Sequence, residues 1–337
     1  METHMLTTEI LPWLTQRSEY TWRPLRREDL PALREMLLVV EQADHREVAD
    51  PLEDMQTQFD DPWSRPETDS LAAFTPAGQM VAFARTLINP QPETEIRAHI
   101  WNEVHPQHRQ AGLEDLLLDW SETRNRQRTQ SMPADLPRVH RAGVEDTQVD
   151  CIGLLERRGY QPVRYFYRMR RDLREPIPTK QLPQGLTLRT FVPDLSRRVL
   201  AALNEAFRDH WSYEAITEED WQQFFLERSS FRPDCTYVVL EGDEVVGLSF
   251  NTVCPEENAR RGIREGWVAE LAVRRAWRNR GVATALLCES MRAFKADGLD
   301  YASLGVDTEN PSGALRLYES LGFRPVKRFI QFSRPIA

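Results

Sequence analysis

Cysteine is scarce in this chain: four in 337 residues, Cys151, Cys235, Cys254 and Cys288. None stands in a Cys-x-x-Cys pair or another metal spacing. That excludes a zinc ribbon or a dithiol motif and points to a reduced, cytoplasmic protein without a disulfide framework. No apolar run approaches the ~20 residues of a membrane span, and the opening METHMLTTEI has no charged-then-apolar leader pattern. Basic charge is in deficit, 43 Lys and Arg against 52 Asp and Glu for a net −9, whereas a nucleic-acid partner needs a basic face. No Ser-His-Asp or Cys-His order marks a nucleophile with its base, so an acyl-enzyme route is rejected. Cys288 falls on the inward face of a helix pattern and reads as a small hydrophobe. His105 and His108 lack a third ligand at a recognisable spacing, so no metal is expected.

What is present builds cores. Hydrophobic residues make up 41% of the chain, enough to pack rather than stay disordered, and at about 100–200 residues per domain the length suggests two domains. The chain reads as one plan written twice. Each half opens on a short strand and a helix, at 20–25 and 29–43, then at 186–191 and 195–207. A hairpin follows in each, 71–74 with 79–88 and 237–240 with 245–251. Strand 95–104 matches strand 266–273. Gly112 and Gly281, in the loops that follow, lie 169 residues apart; Gly159 and Gly322, in CIGLLERRGYQPV and ALRLYESLGFRPV, lie 163 apart. Residues 174–185, REPIPTKQLPQG, carry three prolines that cannot continue a helix or a central strand. The expected division is 1–175, a linker at 176–185, and 186–337.

Residues 267–283, WVAELAVRRAWRNRGVA, are an apolar strand running into a basic loop and a helix. A helix start leaves its first backbone N–H groups unpaired and carries partial positive charge. Gly281 has no Cβ and Ala283 almost no side chain, so a diphosphate has close access to the amides of Gly281, Val282, Ala283 and Thr284. Arg278 and Arg280 add charge-assisted donors, with Asn279 between them. The alternative is a plain turn with surface arginines. A helix at 282–295 follows, with Ala285, Leu286, Cys288, Met291 and Phe294 near the 3.6 period. Then come a strand at 301–306, an Asn310-Pro311 turn, and a helix at 313–321 ended by Gly322.

Arg278-x-x-Gly281-x-Ala283 between strand and helix, followed by NPSGALRLYESLGF, resembles the two signatures of the GNAT acetyltransferase superfamily. The likeness is close over 186–333 and weak elsewhere, and the tandem plan is similar to mycothiol synthase-like members. It implies an α/β (α+β) fold: two tandem GNAT domains, each a mixed, mostly antiparallel sheet flanked by helices. It implies acetyl-CoA as cosubstrate and direct transfer to a primary amine of a small molecule in the C-terminal domain, in a monomer or homodimer. The alternative is a non-catalytic acyl-CoA-binding module for sensing or assembly.

The same resemblance assigns residues. Main-chain amides of Leu271, Ala272 and Val273 would hold the pantetheine arm and the acyl oxygen. Tyr318 would stabilise the departing thiolate, or is an aromatic core residue. Glu270, a carboxylate inside a central strand, is the candidate base; its rival reading is an edge glutamate paired to Arg274, and Glu265 is a weaker base. Asn310 would hold the loop and the cosubstrate, or simply forms a turn. His210 and Trp211 would meet the acceptor, or belong to a packed loop. The first half departs from the pattern: Glu114 stands where the second half has Ala283, and Leu155 where it has Tyr318. A carboxylate there repels a diphosphate, so the first half reads as a degenerate copy.

Overall fold

Both hairpin signals are hairpins, and the helices and strands between them fall where their patterns place them. The computed structural model describes residues 17–46, 50–60, 64–310 and 312–337, so Pro311 of the second signature lies outside the described residues. The chain divides into two units, Met1–Val163 with Phe329–Ala337, and Arg164–Arg328. Among the described residues no helix is long and apolar enough to cross a membrane.

Unit 1 holds β1 (Thr21–Arg23), α1 (Leu30–Asp44), α2 (Leu52–Phe59), β2 (Ser70–Phe74), β3 (Met80–Ile88), β4 (Ile96–Val104), α3 (Leu113–Thr129), β5 (Arg138–Glu145) and α4 (Val149–Arg157). Its sheet runs β1-β2-β3-β4-β5 and ends on the chain's last strand, paired from Phe329↔Glu145 to Pro335↔Val139. The β4–β5 pair is parallel and the other pairs are antiparallel.

Unit 2 begins inside β6 (Gln161–Asp172) and continues through β7 (Leu186–Thr190), α5 (Ser196–Phe207), β8 (Tyr237–Glu241), β9 (Glu244–Thr252), α6 (Pro255–Arg261), β10 (Glu265–Val273), α7 (Val282–Ala296), β11 (Tyr301–Asp307) and α8 (Ala314–Ser320). The closing strand, β12 (Arg324–Pro335), carries the chain back into unit 1. The sheet order is β6-β11-β10-β9-β8-β7, with β10–β11 the parallel pair. Strand alternation sorts β9 between two helices. Ser249 and Asn251 face α7, where both meet the Ser290 hydroxyl at 2.7 Å. Leu248 and Phe250 face α5 and pack with Val199, Leu203 and Trp221. Leu286, Leu287, Cys288, Met291 and Phe294 of α7 are fully buried. At roughly 1.5–3 kcal/mol for each large apolar side chain, packing rather than intrinsic propensity holds this helix to the sheet.

The unit boundary differs from the proline-based expectation of a break at 176–185. Chain division is set by pairing, and β6 pairs with β11 over seven residues, from Tyr301↔Asp172 to Asp307↔Phe166. Residues 164–185 therefore belong to unit 2. Within it, the proline-rich stretch lies along α7: Arg292 donates to Pro178 O at 2.8 Å.

Candidate active site

The same loop appears in both units. Gly112 and Gly281 are the N-caps of α3 and α7, at φ +79° and +84°, and neither helix has a side-chain cap. Gln110 and Asn279, two residues earlier, share the left-handed conformation at φ 61° and 60°. An arginine braces each loop to the end of the preceding strand: Arg109 Nε donates to Val104 O at 3.2 Å and Arg278 Nε to Val273 O at 3.1 Å. The second repeat is equally faithful. Tyr160 N donates to Leu155 O and Phe323 N to Tyr318 O, each just beyond a glycine with positive φ.

This geometry adds a role to one assignment. The Arg278 guanidinium braces the loop, with Nη2 on Ala206 O at 2.7 Å as well as Nε on Val273 O. Asn279 and Arg280 are exposed. The first-turn amides of α7 have no intrahelical partner and are available as donors.

Side chains separate the two loops. In unit 1 the Glu114 carboxylate accepts from Gln110 N at 3.2 Å, and Asp44 takes both terminal nitrogens of Arg109 at 2.6 and 2.9 Å. One loop amide and the Arg109 side chain are thus taken by the unit's own carboxylates. A cavity of about 760 Å³ persists beside them, lined by Glu103, Cys151 and Leu155 among others. In unit 2 Ala283 replaces Glu114, so no carboxylate stands at that position beside the loop amides.

Strand β10 carries the central feature. It pairs with β11 from Glu265↔Tyr301 to Val268↔Leu304 and no further, while β11 stays on β6 to its end. The strands splay there and open a gap. Opposite the gap, the β10–β9 register shifts between Val268 and Glu270, leaving Ala269 as the extra residue of a bulge. The bulge changes which face each side chain takes. Val268 packs with Leu287 and Met291 of α7, whereas Ala272, on the face of Glu270, packs on the α5 side.

Main-chain groups on a strand alternate between its two neighbours. Arg274 N donates to Val246 O on β9, while Val273 O accepts from Arg278 on the opposite side. Leu271 and Val273 therefore aim their N–H groups into the gap, and Ala272 aims its own at β9. The expected trio of free amides narrows to two.

Glu270 and Tyr318 come together at the gap. The Tyr318 ring is buried, and burial first, then the nearby Glu270 charge, pushes its phenol above the ordinary value. Glu270 is half-buried in area yet heavily desolvated, which raises its carboxyl from 4.5 to about 7. Among the described residues it has no hydrogen-bond or ion-pair partner. The rival reading, a pair with Arg274, is excluded: Arg274 holds Glu244 at 2.8 Å and Glu205 at 3.0 Å. Glu265 is no base. Burial raises its pKa, but Arg168 at 2.6 Å, the Ser303 hydroxyl and Arg170 at 2.7 Å together bring it below the ordinary value. Removing one partner of such a buried cluster typically costs ~3–5 kcal/mol, which marks it as structural. In unit 1, Trp101 and Leu155 stand at the Glu270 and Tyr318 positions, and β4 pairs with β3 without a bulge.

The other assigned residues are less committed. Asn310 Oδ1 accepts from Ser312 N at 2.9 Å, the turn-forming role. The His210 ring lies 4.2 Å from that of Phe207, tilted against it; burial and then Arg278 lower its pKa. Trp211 lies 6.2 Å from Phe166 and under the Arg164 guanidinium. Arg164 is itself bonded to Asp307 at the end of β11, so the loop 207–213 sits over the strand ends that form the gap. The resemblance implies a bulge and a splay in this strand, and the structure puts the bulge at Ala269; the sequence reading missed the arginine brace, for which the repetition of Arg109 and Arg278 at the loop spacing was the available signal.

Two copies of one α/β plan, one of them with an amide loop beside a strand gap, define a tandem α/β protein. The chain carries a region similar to the GNAT acetyltransferase family. Residues 198–323 match the model of the acetyltransferase (GNAT) family. A mycothiol acetyltransferase of Thermobispora bispora is 35% identical over 167 residues, 49% of this chain and 55% of that protein. A mycothiol acetyltransferase of Frankia casuarinae is 27% identical over 79% of this chain and 75% of its own. The match thus spans little more than half the length of the Thermobispora relative. A GCN5-related N-acetyltransferase from Sphaerobacter thermophilus superposes with a TM-score of 0.75 at 26% identity, over 94% of this chain and 96% of that one. A tandem GNAT protein from the clavulanic acid biosynthesis pathway shares the fold, with a TM-score of 0.69 at 15% identity over 95% and 99%.

Proposed function

We propose that unit 2 is an acetyl-CoA-dependent N-acetyltransferase that acts on a primary amine of a small molecule by direct transfer in a ternary complex. The observation that carries this reading is Glu270: an unpartnered, desolvated carboxylate titrating near neutrality at the gap that also receives Tyr318. Loop amides from Gly281 to Thr284 take the diphosphate. The Leu271 and Val273 N–H groups take the arm and the acyl oxygen, whose negative charge grows in the transition state. Glu270 accepts the proton the ammonium must lose before its nitrogen attacks the acyl carbon. As the C–S bond breaks, Tyr318 donates a hydrogen bond to the thiolate. With a phenol pKa above about 10 and a thiol near 8.5, it stabilises the leaving sulfur rather than surrendering its proton outright. His210 and Trp211 line the acceptor side. The relatives' name, mycothiol acetyltransferase, favours a small-molecule amine related to mycothiol as acceptor, and unit 1 serves as a supporting copy that does not turn over.

The test is thiol release from acetyl-CoA across a panel of primary amines that includes amino sugars. Amine-dependent release supports the reading. Tight acetyl-CoA binding with no release for any amine would favour a sensing or assembly module instead.

A further inference from the structure

Residues 176–182 form a strap on unit 2. Arg171 donates to Pro176 O at 2.7 Å and Arg292 to Pro178 O at 2.8 Å. Ile177 packs against the α7-side core, and Leu182 packs beside Val282 and Leu286. These anchors bracket Lys180 and lay its stem over the loop: a Cβ built on Gly281 would lie 2.6 Å from Lys180 Cε and 3.5 Å from Nζ. The chain has three lysines, Lys180, Lys295 and Lys327, against forty arginines. Lys180 is exposed, and among the described residues no carboxylate pairs with it. Unit 1 repeats the placement with a different outcome. Arg17, from the segment just before β1, brings Nη2 to 3.0 Å from the Cβ position of Gly112 and is held there by Ala111 O. Both units thus deliver a cation from ahead of their first strand to the loop glycine. In unit 1 it is tied to the loop, and in unit 2 it is free.

We propose that Lys180 is the third element of the diphosphate seat, a strap-borne ammonium that closes on the phosphate oxygens opposite the α7 amides. This rests on the reading of the loop as the acyl-CoA site and adds a residue to it. A compact ammonium on a flexible four-carbon stem suits the task, since it can swing off Gly281 and pair with either phosphate. With two Arg278 donors spent on the brace, Lys180 adds a second mobile cation beside the exposed Arg280.

The test is calorimetric titration of the full chain with CoA. Lys180→Ala should raise Kd roughly tenfold, Lys180→Arg should recover most of the loss, and the Ala effect should shrink at high salt. In the unmodified protein, CoA should slow acylation of Lys180 by an amine-selective reagent, with Lys295 and Lys327 as references. Ala283→Glu, which copies unit 1, is the control for the loop itself. If Ala283→Glu abolishes binding while Lys180→Ala leaves Kd unchanged or lowers it, the clamp is wrong and the loop reading stands. If Ala283→Glu also leaves Kd unchanged, both fall.

Discussion

At the scale of single residues, Glu270 links stability to activity. Its folded-state pKa of about 7 lies above the ordinary 4.5, so the folded protein keeps this proton where the unfolded chain has lost it. The resulting destabilisation is absent below the ordinary value, grows as pH rises, and is complete above 7. Glu270→Gln should therefore raise the melting temperature at pH 8 and leave it unchanged near pH 4, as scanning calorimetry will show. The same substitution should lower kcat/KM by about 10²-fold or more and remove the rise in rate through pH 7 that a deprotonating base produces. A variant that keeps the wild-type pH profile would take Glu270 out of the reaction. Tyr318→Phe should act differently. Its hydroxyl matters as the C–S bond breaks, so kcat should fall on the order of tenfold with little change in the KM for acetyl-CoA. Steady-state kinetics with a saturating amine separates the two effects.

At the scale of elements, the loop and the caps were legible in the sequence because they depend on residue types with special backbone freedom. Gly281 announces a left-handed N-cap, and Gly322 a left-handed helix end. The bulge was implied only by the family resemblance, and its position was not legible in the local pattern. Ala269 is an ordinary strand residue, and its displacement comes from the β9 register across the ladder, which no local pattern encodes. Nor was the fate of Arg278 legible, because its partner Ala206 O lies on α5, 72 residues away. The difference between the two loops, by contrast, reduces to one side chain. In unit 1, Glu114 takes the amide of Gln110. Ala283→Glu should place the same carboxylate in unit 2, where a first-turn acid suits the helix dipole. Melting temperature should hold, while CoA affinity should fall roughly a hundredfold or more through charge repulsion and loss of a donor. Titration calorimetry alongside a thermal melt distinguishes this from misfolding.

At the scale of the whole molecule, the repeat was legible and the division of the chain was not. Prolines at 176, 178 and 183 mark where regular structure stops, whereas units are decided by which strands pair. Strand β6 follows unit 1 in sequence, yet it runs along β11 from Asp172 to Phe166. Arg168 and Arg170 on it neutralise the buried Glu265, and Arg171 holds Leu321 O at 2.5 Å. A fragment of residues 186–337, cut at the prolines, loses all of this. Its β11 edge is stripped of seven backbone pairs, and Glu265 keeps of its arginines only Arg261 at 3.5 Å, a change worth several kcal/mol against a typical domain stability of ~5–15 kcal/mol. Residues 164–328 retain the strand and its arginines. Expressed side by side, 164–328 should be soluble with a cooperative thermal transition, and 186–337 should aggregate or melt without one. Equal behaviour of the two fragments would show that β6 contributes little to the unit and would return the boundary to the prolines.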